Sequence, residues 1–222
     1  MSFFKLFVHH DIPDSFVNKF RKKRFSYLQN KIETLIREKG NIKILDIGGE
    51  LSYWQHLGWK HENCTIYLLN LNMDDNNTQT SNFHFIKGSA LDLPYQSGDF
   101  DLIYSNSVIE HVGSIEGQKK FAEEVNRVCT KYIIQTPSFW FPLEPHSLIP
   151  FFQFIPHQLR AYLIMKFDIN YFPKAATYKE AVQVSKSTIM FSKKRFKQLF
   201  PDAKIYVERF LGIPKSYTAI HL

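Results

Sequence analysis

The feature that most constrains the fold is the segment at residues 42–50, where a short apolar run ends in the adjacent glycines Gly48 and Gly49. Such a run is typical of a buried strand, and the helical spacing that follows predicts a strand, a tight turn and a helix. A nucleotide-type cofactor needs this kind of turn, because a residue without a side chain lets the backbone approach the ligand. The dinucleotide pattern GxGxxG is absent, which disfavours a nicotinamide dehydrogenase.

The rest of the chain alternates between strand-like and helix-like patterns. Further strands are predicted at residues 65–71, 83–87, 100–105, 132–135, 205–210 and 217–221, and helices at 14–39, 118–128 and 193–200. This alternation predicts a Rossmann-like α/β fold, a three-layer sandwich with a mostly parallel seven-stranded sheet. Because 222 residues fill one ordinary domain, we expect a single domain over residues 1–222, with 14–39 as an N-terminal helical extension.

Residues 137–180 interrupt the alternation. Six prolines fall between positions 137 and 175, and the stretch is rich in Phe, Tyr and Trp. We interpret residues 137–180 as a lid-like insertion after the fifth strand. Its segment 147–167 mixes aromatic residues with Arg160 and Lys166, which fits either an apolar cover on the domain's own core or a peripheral contact with a membrane surface.

Cysteine usage and hydropathy favour a cytoplasmic protein. Cys64 and Cys129 lie far apart without a CxxC spacing, so we expect two reduced thiols. No apolar stretch approaches the roughly 18 to 20 residues that span a bilayer. The first residues lack the uninterrupted apolar core of a secretory signal, because His9, His10 and Asp11 interrupt it.

Charge suggests an anionic partner only weakly. The 28 basic against 21 acidic residues give a net charge of +7, and part of this excess lies in the basic run at residues 19–24. The run is typical of a solvated helix face, and a binding patch is the alternative. No metal site is predicted, because the adjacent histidines His9 and His10 rarely face one ion together.

The second predicted strand ends at a residue suited to bind ribose hydroxyls. Asn70 follows Asp46 by 24 positions (70 − 46), close to the spacing of about 20 residues that places a polar group at a ribose. An amide forms weaker hydrogen bonds to a diol than a carboxylate does. A plain turn-forming role at the end of a strand is the alternative for Asn70.

Four motifs in order strengthen the cofactor hypothesis: ILDIGGE, LLNLN, GSALDLPYQSGDFDLIYSNSVIEHV and YIIQTP, all within residues 42–136. Together they resemble the methyltransferase type 11 branch of the class I S-adenosylmethionine-dependent methyltransferases. The later segment ERFLGIPKSYTAI also resembles the end of related bacterial enzymes. The resemblance implies S-adenosylmethionine as the cofactor and methyl transfer as the activity.

The resemblance also assigns the cofactor to four segments. The glycine turn meets the methionine part, the second strand meets the ribose, the loop after the third strand meets the adenine, and the end of the fourth strand closes the site. The residues at these positions are, in the same order, Asp46, Gly48 and Gly49; Asn70; Ser89 and Ala90; and Ser105 and Asn106.

The chain departs from the family pattern at four positions. Glu50 and Ser52 stand where glycines are usual, Asn70 replaces an acid, and Ser89 replaces the aspartate beside adenine. Each change is expected to weaken cofactor binding. A cofactor-binding protein without turnover is therefore an alternative.

Methyl transfer requires the acceptor to be positioned and, where necessary, deprotonated. The candidate bases are His111 and the pair Glu144 and His146, since histidine titrates near neutral pH. The alternatives are that His111 packs on the cofactor without titrating and that Glu144 and His146 only form hydrogen bonds in a turn.

The acceptor is expected to be a small molecule or a lipid-linked compound. A nucleic-acid methyltransferase is the alternative suggested by the basic charge. Against nucleic acid, the fourth strand is followed by SNSV rather than by the Asn/Asp-Pro-Pro-aromatic motif of base amino methylation, and no Pro-Cys nucleophile is present. The oligomeric state stays open.

Overall fold

The computed structural model describes residues 16–72 and 82–222. The helices are α1 (Phe16–Lys39), α2 (Leu51–Leu57), α3 (Ile115–Val128), α4 (His157–Lys166), α5 (Tyr178–Lys186) and α6 (Lys193–Leu199). The strands are β1 (Ile42–Ile47), β2 (Cys64–Asn70), β3 (Phe83–Lys87), β4 (Leu102–Asn106), β5 (Tyr132–Pro137), β6 (Lys204–Phe210) and β7 (Ile213–His221).

The predicted seven-stranded α/β fold is confirmed at the level of a mixed, mostly parallel sheet with helices. The chain divides into two compact units. The N-terminal unit contains the described residues up to position 105, together with 127–132 and 222. The C-terminal unit contains residues 106–126 and 133–221. The extent of a single domain and the lid role of 137–180 stay predictions.

The strands of the N-terminal unit are parallel and follow the order β3-β2-β1-β4. Ile44 of β1 pairs with Ile66 on one side and with Leu102 on the other. The chain therefore builds outward from β1 to β3 and returns to the opposite side of β1 with β4. This reversal is a topological switch point, and α/β folds bind ligands outside the carboxyl ends of the strands there.

Helix α1 packs through the apolar stripe that its sequence predicts. Leu28, Ile32 and Leu35 recur at three- and four-residue spacings and are almost fully buried. The basic run is solvated only in part, since its three lysines are exposed but Arg24 is buried. The cluster of His9, His10 and Asp11 lies outside the described residues. Among the described helices, none combines the length and apolar character needed to cross a membrane.

The strands of the C-terminal unit follow the order β5-β7-β6, and β6 and β7 pair antiparallel. Leu211 and Gly212 connect them in a two-residue turn with φ angles of 48° and 81°. Two left-handed residues in succession match the twist of a hairpin. Strand β7 begins four residues before the predicted start, and Pro214 within it faces the register shift of β6 between Glu208 and Arg209.

The segment 137–180 contains helical structure that its sequence did not predict. Helix α4 and the start of α5 lie within it, and the Thr177 hydroxyl caps α5 by accepting a hydrogen bond from the Glu180 N–H. These helices pack around their own buried cluster, whose members include Phe152, Ala161, Ile164, Ile169, Phe172 and Ala181. Part of the apolar content of the segment therefore fills a core of its own.

Replacing Leu211 with Asn is expected to stabilise the protein by about 0.5–1 kcal/mol. Leu211 is 84% exposed and adopts a left-handed conformation that strains a side chain such as leucine more than asparagine. Urea unfolding of Leu211→Asn measures the change. The control is Leu71→Asn at another exposed leucine without positive φ, and an equal gain in both variants would contradict the explanation.

Candidate active site

The glycine turn after β1 requires a glycine at both positions, for different reasons. Gly48 has a φ of 72°, which favours glycine, and its N–H donates to the Leu69 carbonyl at 2.7 Å. Gly49 is buried against Asp46, and a Cβ on Gly49 would lie 2.1 Å from Asp46 Oδ2. The turn is therefore held both by its backbone conformation and by contact with the acidic side chain.

Asp46 is a buried anchor of this turn. Its side chain is 1% exposed, and its Oδ2 accepts a hydrogen bond from Trp54 Nε1 at 2.8 Å. Burial raises the pKa of Asp46 to about 8, against the opposing effect of the Trp54 hydrogen bond. The carboxyl group is consequently neutral near pH 7. Sequence reasoning missed Trp54, whose only signal is an aromatic residue eight positions after Asp46 on the following helix.

Two of the four departures from the family pattern are compatible with the local backbone. Glu50 precedes α2 in an extended conformation (φ −121°, ψ 139°), which any residue adopts. Ser52 lies inside α2, and its hydroxyl donates to Glu50 Oε2 at 3.3 Å. Neither position requires glycine for its conformation.

Asn70 and Ser105 fasten the ends of β2 and β4 to the end of β1. Asn70 Nδ2 donates to the Gly49 carbonyl at 2.6 Å, and Ser105 Oγ donates to the Ile47 carbonyl at 3.0 Å. Ser105 is fully buried, whereas Asn70 is half-buried. The structure therefore brings Asn70 to the glycine turn and gives the Ser105 hydroxyl a structural partner.

Ser89 and Ala90 form a turn directly after β3. Ser89 Oγ accepts from the Leu91 N–H at 3.1 Å, and both Ser89 and Ala90 are half-buried. They follow the carboxyl end of β3, the position to which the family resemblance assigns adenine binding. Asn106, the last residue of β4, is half-buried and begins the C-terminal unit. The ligand roles of these residues stay predictions.

The three predicted catalytic residues lie together in the C-terminal unit. His146 Nδ1 is 2.6 Å from Glu144 Oε1, and His146 Nε2 is 3.1 Å from His111 Nε2. His111 ends a short 3₁₀ helix (Ile109–His111), and the other two residues belong to the 137–180 segment. The structure thus forms a chain of contacts from Glu144 through His146 to His111.

The charge of Glu144 determines which nitrogen atoms carry protons in this chain. Burial alone would raise the pKa of Glu144, but hydrogen bonds from His146 and Ser147 lower it overall, so the group is a carboxylate. A carboxylate only accepts hydrogen bonds, and His146 Nδ1–H is therefore the donor. In neutral His146 the Nε2 atom then accepts from His111 Nε2–H, which leaves the lone pair of His111 on Nδ1.

His111 is neutral at physiological pH. Partial burial and the neighbouring His146 lower the pKa of His111 to about 4, against the opposing effect of Glu144. His111 and His146 also line a cavity of about 390 Å³ within the C-terminal unit, with Tyr171, Phe172 and Gln183 among its other walls. An uncharged imidazole with a lone pair can accept a proton or bind a cation.

Sequence reasoning missed Glu110, which precedes His111. Glu110 is fully buried, and its Oε2 accepts a hydrogen bond from Thr136 Oγ1 at 3.0 Å. Burial raises the pKa of Glu110 to about 7, although hydrogen bonds and His146 oppose the shift. The only sequence signal was its position beside a candidate base.

The sequence matches the methyltransferase domain family over residues 46–132. For this part of the chain, the match confirms the predicted type 11 branch of the class I methyltransferases, enzymes that use S-adenosylmethionine as cofactor. No curated protein matches the sequence.

Solved structures resemble the chain at low sequence identity. A protein assigned as a methyltransferase of an antibiotic biosynthesis pathway in Anabaena variabilis is 12% identical, with 77% of this chain and 58% of that one covered and a TM-score of 0.46. PigF with SAH is 15% identical, with 98% and 74% covered and a TM-score of 0.48. Human N-acetylserotonin methyltransferase in complex with SAM is 12% identical, with 81% and 47% covered and a TM-score of 0.48.

Replacing Asp46 with Asn is expected to flatten the pH dependence of stability between about pH 4 and pH 8. The pKa of the Asp46 carboxyl is about 3.8 in the unfolded chain and about 8 in the folded protein. The contribution of Asp46 to the free energy of unfolding is therefore fully present below pH 3.8 and is lost as the pH rises through 8. The difference from the wild type should exceed about 1 kcal/mol. Urea unfolding across this range measures it.

The matched control is Asp202→Asn, which makes the same change at an exposed turn. Asp202→Asn should retain the pH profile of the wild type. Identical profiles for the two variants would show that Asp46 does not titrate in this range.

Proposed function

We propose, from the membership of residues 46–132 in the methyltransferase domain family, that this chain transfers a methyl group from S-adenosylmethionine to a small-molecule or lipid-linked acceptor. The observation that carries the proposal is the switch point between β1 and β4, with the glycine turn at the end of β1. This is the position at which parallel α/β sheets bind nucleotide-type ligands.

The residues at this edge fit the cofactor in kind. The Gly48 and Gly49 backbone turns sharply beside the end of β1, and Asn70 lies within hydrogen-bond distance of that turn. Because Asn70 Nδ2 donates to the Gly49 carbonyl, its amide oxygen is the atom that accepts a ribose hydroxyl. The turn at Ser89 and Ala90 is assigned to the adenine.

The bound cofactor supplies an electrophilic methyl group on a sulfonium centre. The acceptor would form its new bond to that methyl group as the sulfur–carbon bond breaks, and an acceptor hydroxyl or amine would also have to release a proton. We assign this proton to His111 Nδ1, with His146 and Glu144 fixing the tautomer of His111. His111 is neutral, so its Nδ1 lone pair is available to a proton.

An exposed aromatic surface supports a lipid-linked acceptor. Trp140, Phe151 and Phe154 are 55%, 58% and 45% exposed, and their rings lie within 6.4 Å of a neighbouring ring in the group. Phe151 also adopts a left-handed conformation, which is unusual for a bulky residue. Clustered exposed aromatic side chains mark interaction sites, and such residues favour the interface of a lipid bilayer.

Calorimetry is expected to detect S-adenosylmethionine and S-adenosylhomocysteine binding to the purified chain. Replacing Asn70 with Ala should weaken binding by about 5- to 10-fold, because one net hydrogen bond is worth about 1 kcal/mol. Asn82→Ala is the matched control, since Asn82 Nδ2 donates to the His61 carbonyl before β3 begins. No binding of either ligand at millimolar concentration would refute the proposal.

A cell extract with a labelled methyl donor separates catalysis from binding alone. Transfer of label to an extractable compound supports the enzyme, and the solubility of the product identifies a water-soluble or lipid acceptor. Binding of the cofactor without any labelled product would favour a non-catalytic cofactor-binding protein. Label in nucleic acid would instead favour a nucleic-acid methyltransferase, the alternative that the basic charge suggested. Binding of nucleic acid to the protein should then weaken steeply with salt.

Phosphatidylcholine vesicles with added phosphatidylglycerol are expected to co-sediment with the protein. Replacing both Trp140 and Phe151 with Ala should reduce the bound fraction at least about 5-fold, because apolar contact area at the bilayer is lost. Leu211→Ala, which removes an 84% exposed leucine from the β6–β7 turn, is the control. Equal binding by the double variant and the wild type would show that this aromatic surface does not bind the bilayer and would remove its support for a lipid-linked acceptor.

A further inference from the structure

One cluster in the C-terminal unit combines side chains that bind metal ions. Glu110, His111 and His146 each offer one ligand atom, and these three atoms lie within 4.8 Å of one another. Glu110 and His111 come from the short 3₁₀ helix after β4, whereas His146 comes from the 137–180 segment. Residues distant in sequence therefore converge on one point.

The spacing of the two imidazoles matches that of ligands on a shared ion. His111 Nε2 and His146 Nε2 are 3.1 Å apart. Two nitrogen ligands at about 2.0–2.1 Å from a tetrahedral zinc ion are about 3.3 Å apart. A small opening of this pair accommodates the ion between the two nitrogen atoms.

Glu110 supplies an independent observation. Its side chain is fully buried, and Oε1 has no hydrogen-bond partner among the described residues, while Oε2 accepts from Thr136. A buried carboxyl oxygen without a partner is costly, because buried polar groups are normally hydrogen-bonded or bound to metals. A cation beside Oε1 would satisfy this oxygen.

Glu144 contacts the cluster through His146 and is not itself one of the three candidate ligands. Histidine ligands usually donate their other ring N–H to a carboxylate, which orients the ring and fixes its tautomer. His146 has this geometry, because Nδ1 is 2.6 Å from Glu144 Oε1 while Nε2 faces His111. The lone pair of His146 Nε2 is thus directed into the cluster.

We propose that Glu110, His111 and His146 bind a divalent transition-metal ion, with zinc as the preferred ion. Two imidazoles and one carboxylate favour zinc over magnesium or calcium, which prefer oxygen ligands. Three protein ligands leave a fourth position for water or an oxygen ligand, as in catalytic rather than structural zinc sites. His111 and His146 also line the 390 Å³ cavity, which gives such a ligand access.

Zinc titration of untagged, chelator-treated protein tests the proposal. Equilibrium dialysis should give one zinc ion per chain with a dissociation constant below about 1 µM. Cobalt in place of zinc should produce the visible absorption of a tetrahedral ion. These readouts do not involve S-adenosylmethionine, so failure of the proposed methyl transfer and failure of this site are distinguishable.

Substitutions at the proposed ligands test where zinc binds. His111→Ala and Glu110→Gln should each weaken zinc binding at least about 100-fold, and Glu144→Gln about 10- to 100-fold through the orientation of His146. His157→Ala is the matched control, because His157 contacts Arg160 outside the cluster. Thermal unfolding without metal shows that each variant is folded before it is titrated.

The double variant His9→Ala/His10→Ala separates this site from one at the start of the chain. Retention of zinc binding in this variant, with loss in His111→Ala, is the expected result. Absence of stoichiometric binding by the wild type would overturn the proposal. Equal zinc affinity of the wild type and His111→Ala, or loss of binding in the double variant alone, would overturn it as well.

Discussion

The buried carboxyl group of Asp46 is the interaction on which the rest of the N-terminal unit depends. Gly49 packs so closely on this carboxyl that no larger residue fits, and Trp54 donates a hydrogen bond to it from the following helix. Asn70 and Ser105 then fasten the neighbouring strand ends to the backbone of the same turn. One desolvated acidic side chain thereby links β1, the turn and α2, while polar side chains bring the ends of β2 and β4 to it.

This arrangement shows why three of the departures from the family pattern are compatible with the glycine turn. Glu50 is extended and Ser52 is helical, so glycine is not needed at either position to form the turn. Asn70 uses its amide nitrogen for the Gly49 carbonyl, a bond that a carboxylate could not donate. The substitution of an acid by Asn70 therefore contributes a hydrogen bond to the turn. The glycine turn therefore forms although Glu50, Ser52 and Asn70 differ from the family pattern.

Strands and amphipathic helices were predictable because their patterns follow from burial on one face or on both. The apolar run of β1 and the stripe of α1 at Leu28 and Ile32 are examples. Helix α4 was missed because Pro156 directly precedes it and its apolar residues follow no single helical face. Glu110 and Trp54 were missed for another reason, since their roles depend on burial and on partners that helical or strand periodicity does not encode.

The two roles proposed for the contacts among Glu144, His146 and His111 exclude each other at any moment. Glu144 fixes the His146 proton on Nδ1 in both cases. Without metal, His146 Nε2 accepts a hydrogen bond from His111 Nε2, and the free lone pair of His111 is on Nδ1. With metal, His111 must adopt the opposite tautomer so that Nε2 becomes a ligand. The position of one proton on His111 therefore separates the proposed imidazole base from the proposed metal ligand.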